Sequence, residues 1–144
     1  MAIQLKATTK ECETLIPTIG EVLTPIIQSE PGCGKTSILK GLEKKHGDKY
    51  DYIYVDCPVK DMSDICMTIP RHDNKTLDTY TGSLFKLDSD KPKIILLDEF
   101  MKTNKLCQTI YTRMMLERHV GDTPLPKGSI VFGTSNNQAD GLGD

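Results

Sequence analysis

Short apolar runs alternate along this chain of 144 residues with longer stretches in which apolar residues recur every third or fourth position. That alternation predicts strands and helices in turn, as in βαβ units built around a parallel sheet. Residues 9–22 read as a helix, with Thr8 or Thr9 as its cap and Pro17 forcing a break or kink. Pro25-Ile26-Ile27-Gln28 is a short apolar strand that runs into a Gly-rich turn. Residues 35–46 then read as a helix, with Ile38, Leu39 and Leu42 on one face and Gly47 as its stop. Tyr52-Ile53-Tyr54-Val55 has the β-branched and aromatic content of a strand. Residues 61–67 suggest a short helix, and 76–87 a hairpin or loop with aromatics among turn residues. Ile94-Ile95-Leu96-Leu97 is apolar throughout, as a central parallel strand should be. Residues 104–120 read as a helix carrying Leu106, Ile110 and Met114, with Gly121 ending it. Ile130-Val131-Phe132 is the last strand, and it runs out into Thr134-Ser135-Asn136.

Composition narrows the class. With 38% hydrophobic and 26% charged residues, the expectation is one soluble globular domain. No apolar run approaches the roughly 20 residues that span a bilayer, and the N-terminus lacks the apolar core of a secretory signal. A cytoplasmic location is the corresponding expectation. The net charge of −2 excludes a surface that binds nucleic acid by charge alone, so any such contact would be local. Cys12, Cys33, Cys57, Cys66 and Cys107 are odd in number and contain no C-x-x-C pair, which fits reduced thiols. His46, His72 and His119 form no ligand spacing, so no zinc site is expected.

The chemistry concentrates in Ser29-Glu30-Pro31-Gly32-Cys33-Gly34-Lys35-Thr36, between a predicted strand and a predicted helix. This is a Walker A pattern whose first Gly is replaced by Ser29. Gly32 and Gly34 would let the backbone curl so that successive N–H groups face phosphate oxygens. The N-terminus of the following helix would add its dipole and unpaired N–H groups. Glu30, Pro31, Gly32, Cys33, Gly34, Lys35, Thr36 and Ser37 are therefore the expected nucleotide-binding residues. Lys35 would supply a point charge to the β- and γ-phosphates, and the Thr36 hydroxyl would ligate Mg²⁺.

Lys93-Ile94-Ile95-Leu96-Leu97-Asp98-Glu99 has the form of a Walker B segment, an apolar strand ending in two carboxylates. The C-terminal edge of a parallel sheet is where ligands of such folds sit. Asp98 would hold Mg²⁺ directly or through water, and Glu99 would orient and deprotonate the attacking water. Asn136 ends the next strand. Beside Glu99 it could position water and touch the γ-phosphate; as one of two successive asparagines it reads equally as an ordinary turn residue.

Together, E-P-G-C-G-K-T, I-I-L-L-D-E-F and V-F-G-T-S-N resemble the Walker A, Walker B and sensor 1 motifs of AAA+ ATPases. The stretch Leu116-Glu117-Arg118-His119-Val120-Gly121, then Leu125-Pro126-Lys127-Gly128, then Thr134 to Asn137 and Asp140-Gly141 is similar to the MoxR and dynein-related branch, including forms common in bacteriophages. In that branch a helix after Walker B and a short hairpin with an L-P-x-G turn precede sensor 1. The resemblance implies a three-layer αβα sandwich with a parallel sheet, and Asn136 as the sensor 1 residue. It also implies Glu99, Asn136 and Lys35 as catalytic residues, ATP and Mg²⁺ as cofactors, and a homo-oligomeric ring, usually a hexamer. Such proteins carry an arginine finger, a fifth strand and a helical lid beyond sensor 1, and the chain stops before them; the expectation is a C-terminally incomplete core. The finger role is carried onto neither Arg113 nor Arg118. The implied function is ATP hydrolysis that remodels a protein partner. A nucleic-acid motor or loader on the same fold and a nucleotide-gated scaffold without turnover are the alternatives.

Overall fold

The computed structural model describes residues 4–29 and 34–136. Its first helix, α1 (Thr9–Ile19), is started by a reciprocal cap. The Thr8 hydroxyl accepts from the Glu11 N–H at 3.2 Å, and the Glu11 carboxylate accepts from the Thr8 N–H at 3.0 Å. Helix α1 passes through Pro17 and stops at Ile19, three residues short of the expected end, with Gly20 as its cap. Pro17 lies in the last turn, where its missing donor costs one bond and the chain leaves the helix directly afterwards.

Strand β1 (Ile26–Ser29) leads towards α2 (Lys35–His46), whose buried face is Ile38, Leu39 and Leu42. Strand β2 (Asp51–Asp56) follows, and β5 (Lys93–Asp98) and β8 (Ile130–Asn136) complete the sheet. The order is β1-β8-β5-β2 and every pairing is parallel. Ile94 to Leu97 are fully buried because β5 feeds both faces. Ile94 and Leu96 pack with Ile16, Ile38, Leu42 and Phe132 under α1 and α2. Ile95 and Leu97 pack on the other face with Phe85, Tyr111 and Met114, under α4 (Lys105–Glu117). The chain thus forms the expected three-layer αβα sandwich with a parallel sheet. Among the described residues, β1 is an edge strand paired with β8 alone.

The structure departs from the expected elements between β2 and β5 and after α4. The short helix is only α3 (Met62–Ile65), and it passes straight into a two-stranded antiparallel hairpin, β3 (Cys66–Arg71) and β4 (Thr76–Thr81). Strand β3 is not legible in the sequence because it carries Pro70 and is almost wholly exposed, so no face of it alternates cleanly. Helix α4 starts on the Asn104 cap, whose side chain accepts from the Cys107 N–H at 2.9 Å. It ends at Glu117 on Arg118 (φ 59°), not at Gly121. Gly121 instead turns the small hairpin of β6 (His119–Val120) and β7 (Thr123–Pro124). The buried residues of α4 are Cys107, Tyr111, Met114 and Met115, whereas Leu106 is exposed.

At the N-terminal end of β5, Lys93 is fully buried. Its ammonium donates to Asp51 at 2.7 Å and to the Ser89 carbonyl at 3.2 Å, which supplies the partners a buried cation requires. The hydrogen bond from the Lys93 ammonium holds the Asp51 carboxyl below its ordinary range.

Candidate functional site

All four strands of the sheet run the same way, so their C-terminal ends form one edge. Ser29 on β1 is level with Asn136 on β8, and Asp98 on β5 is level with Asp56 on β2. The strand with the acidic pair is separated from β1 by β8, so the end of β8 lies between the end of β1 and the carboxylates. Helix α2 begins at this edge with Gly34 as its cap (φ 79°), a left-handed conformation that glycine adopts without the penalty other residues incur. Lys35, in the first turn, donates from Nζ to the Ser135 carbonyl at 3.2 Å. The side chain of the expected phosphate-binding lysine therefore lies across the end of β8. Thr36 is exposed in the same turn, and the Ser37 hydroxyl donates to the Gly34 carbonyl at 2.6 Å. Glu30, Pro31, Gly32 and Cys33 lie outside the described residues, as does the side chain of Asn136.

Strand register explains the surroundings of Asp98. Tyr54 pairs with Leu96, so it shares a face with Asp98 one step diagonally away, within reach of a long side chain. Its hydroxyl donates to Asp98 Oδ2 at 2.7 Å. Phe132 also pairs with Leu96, which puts Thr134 level with Asp98 on that face. The Thr134 hydroxyl donates to Asp98 Oδ1 at 2.5 Å. Leu96 and Phe132 belong to the cluster under α1 and α2, so the clamped carboxylate lies on the face that carries α2. Burial, and then the Asp98 carboxylate, push the Tyr54 phenol above the ordinary tyrosine range, so it remains a donor at neutral pH.

Thr134 is fully buried and serves the second carboxylate as well: its oxygen accepts from the Glu99 N–H at 3.0 Å. Glu99 itself is held at φ 53°, an uncommon conformation for a residue with a side chain. Its carboxylate pairs with Lys102 at 3.2 Å, one turn further on. Behind it, Phe100 packs so closely on β8 that a Cβ at Gly133 would come within 2.9 Å of the ring. The glycine of V-F-G-T-S-N therefore lets the turn after β5 fold flat onto the sheet.

Of the expected site residues that are described, the structure thus brings Lys35, Asp98, Glu99 and the end of β8 to one edge. Sequence reasoning missed Tyr54 and Thr134. Thr134 could have been found from its place two residues before Asn136, while Tyr54 needs the β2–β5 register. A Mg²⁺ ion fits the donor set. Mg²⁺ binds through one or two protein oxygens plus phosphate oxygens and water, and the Asp98 carboxylate and the exposed Thr36 supply oxygens of that kind.

A parallel sheet with this order, flanked by helices and carrying a glycine-capped helix beside an acidic strand end, defines a P-loop NTPase fold. Residues 26–116 match the model of the viral superfamily 1 RNA helicase core domain, more than half of the chain, and the chain belongs to that family. No curated protein matches it. Among solved structures it is similar to one from Cytophaga hutchinsonii described as a "putative ATPase", with a TM-score of 0.55 and 24% identity. That alignment covers 89% of this chain and 38% of the other, so the chain spans less than two-fifths of that structure's length. At this identity the likeness speaks for the fold. No described helix is long and apolar enough to cross a membrane.

Proposed function

We propose that the chain binds ATP with Mg²⁺ and hydrolyses it, acting as the nucleotide-driven core of a motor. The observation that carries this reading is the meeting of Lys35, the β8 end and the Asp98–Glu99 pair at one sheet edge. Residues Glu30 to Ser37 would cradle the phosphates, with Lys35 as the point charge. Thr36 and Asp98 would hold the metal, which neutralises charge on the phosphates when bound. Glu99 would act as the base towards water, with Asn136 helping to place it. The Lys102 contact would have to loosen for Glu99 to reach that water.

Membership of the viral helicase core family supports RNA as the track on which such a motor works. A second reading, remodelling of a protein partner by a homo-oligomeric AAA+ ring of the MoxR and dynein-related kind, is supported by the hairpin β6–β7 and its Leu125-Pro126-Lys127-Gly128 turn ahead of β8.

Lys35→Ala is expected to abolish ATP binding in calorimetry while leaving the fold intact. Glu99→Gln should keep binding and lose about two orders of magnitude or more in hydrolysis. Asp98→Asn should weaken binding only when Mg²⁺ is present. Unchanged ATP affinity in Lys35→Ala would overturn the phosphate-loop assignment. Stimulation of hydrolysis by single-stranded RNA would favour the first kind of work. Nucleotide-dependent ring formation in sedimentation, without RNA stimulation, would favour the second.

A further inference from the structure

Asp98 is the expected metal-holding carboxylate, and both of its oxygens already accept a hydroxyl from this chain. An ionised carboxylate offers about four lone-pair positions. Tyr54 occupies one on Oδ2 and Thr134 one on Oδ1, so each oxygen keeps one position for a cation or its water. The two donors come from strands on opposite sides of β5, so the carboxylate can neither rotate about its last bond nor swing along the sheet without breaking a bond. Thr134 is fully buried and cannot move away; its oxygen is also fixed by the Glu99 N–H. Tyr54 is 43% exposed, and its hydroxyl is turned onto Asp98. An aromatic side chain that leaves part of its ring in solvent to place one hydroxyl on a carboxylate is not explained by core packing.

From this geometry we infer that Tyr54 and Thr134 are positioning residues: they clamp Asp98 from two neighbouring strands and aim its remaining lone pairs at the nucleotide-bound divalent cation. The inference rests on the proposed ATP-binding reading. Thr134 has a second duty, because one hydroxyl ties the metal-holding carboxylate to the backbone of the adjacent base, Glu99. The backbone of Glu99 is thereby fixed relative to the Asp98 carboxylate by a fully buried side chain.

Groups that orient a metal ligand typically change metal affinity about 10–100-fold when removed. The test is a titration of Mn²⁺ into the protein–ATP complex, followed by the EPR signal of the free ion, alongside ATP affinity measured in EDTA. Tyr54→Phe should weaken Mn²⁺ binding about tenfold and leave metal-free ATP affinity and thermal stability unchanged. Thr134→Val should do the same or more, and Thr134→Ser, which keeps the hydroxyl, should restore wild-type metal binding. Wild-type Mn²⁺ affinity in Tyr54→Phe would overturn the inference. So would an equal loss of ATP affinity with and without metal, which would mark a structural role. The phosphate-loop reading is judged separately. If the wild-type protein binds ATP and Lys35→Ala does not, that reading stands whatever Tyr54 does; if the wild type binds no ATP, both fall.

Discussion

Two single residues, Glu99 just past the end of β5 and Lys93 at its start, are held by contacts with other strands. At one end, Glu99 holds a left-handed backbone that costs roughly 1 kcal/mol or more for a residue with a side chain. Its N–H bond to Thr134 and the packing of Phe100 on Gly133 hold it there. At the other end, Lys93 is buried against Asp51, away from the site. Asp51→Asn removes the counter-charge of a buried ammonium, and the expected destabilisation at pH 7 is about 3 kcal/mol, the low end for a broken buried pair because Asp51 is partly open to water. The pH dependence has a definite sign. The folded state lowers the Asp51 pKa, so the wild-type advantage is complete above the ordinary aspartate range and fades as pH falls through the lowered value. Chemical denaturation of wild type and Asp51→Asn at pH 7 and at pH 3 should show the gap closing; a gap constant with pH would disprove the linkage. Lys93 was legible in the sequence only as the residue before an apolar run. Its burial was not legible, because its partner lies on another strand 42 residues away.

At the scale of elements, strands with continuous apolar runs and helices with clear caps were readable, while the stop of α4 was not. Gly121 looked like the terminator by composition, yet Arg118 takes the left-handed position three residues earlier. The reason is tertiary. The Arg118 guanidinium donates to the Met115 carbonyl at 2.7 Å, the Gly20 carbonyl at 2.6 Å and the Leu23 carbonyl at 3.0 Å. It also reaches the Thr24 hydroxyl at 3.2 Å, which itself donates to Met115. One side chain therefore ties the end of α4 to the segment leading into β1, and no helix propensity records that. Arg118→Met should cost about 3 kcal/mol in urea denaturation, since several carbonyls lose their donor together. Arg118→Lys should recover only part, because a single ammonium cannot span the fork. Equal stability of all three proteins would contradict the role assigned to this strap. Strand β3 of the hairpin went unread for the opposite reason: it has almost no buried face to impose a period.

For the molecule as a whole, the meeting of motifs at one edge follows from the common strand direction and could be expected from the motifs together. An open outer edge at β1 could be expected as well. Its outer edge carries unpaired backbone groups among the described residues, and exposed Val22, Leu23 and Ile26 lie beside a groove of about 620 Å³ that Phe100, Met115 and Leu116 also line. Such an edge invites pairing with further polypeptide.

The hairpin has a different consequence for the molecule. It grows out of the link between β2 and β5, which are already neighbours in the sheet, and its stem is closed where the Gly82 N–H meets the Ile65 carbonyl at 2.8 Å. The two ends are thus held together independently of what lies between them, and the loop-closure entropy of anything spliced there is largely met in advance. Replacing residues 68–79 with a two-residue turn should leave thermal stability within about 1 kcal/mol and ATP binding unchanged. Calorimetry and thermal melts of that variant would decide it, and loss of ATP binding would show the hairpin to be part of the nucleotide site. The stem makes the hairpin an interchangeable cassette. Its tip, Arg71 to Lys75, lies outside the four-stranded parallel sheet, so rewriting it is expected to leave the C-terminal edge of that sheet unchanged.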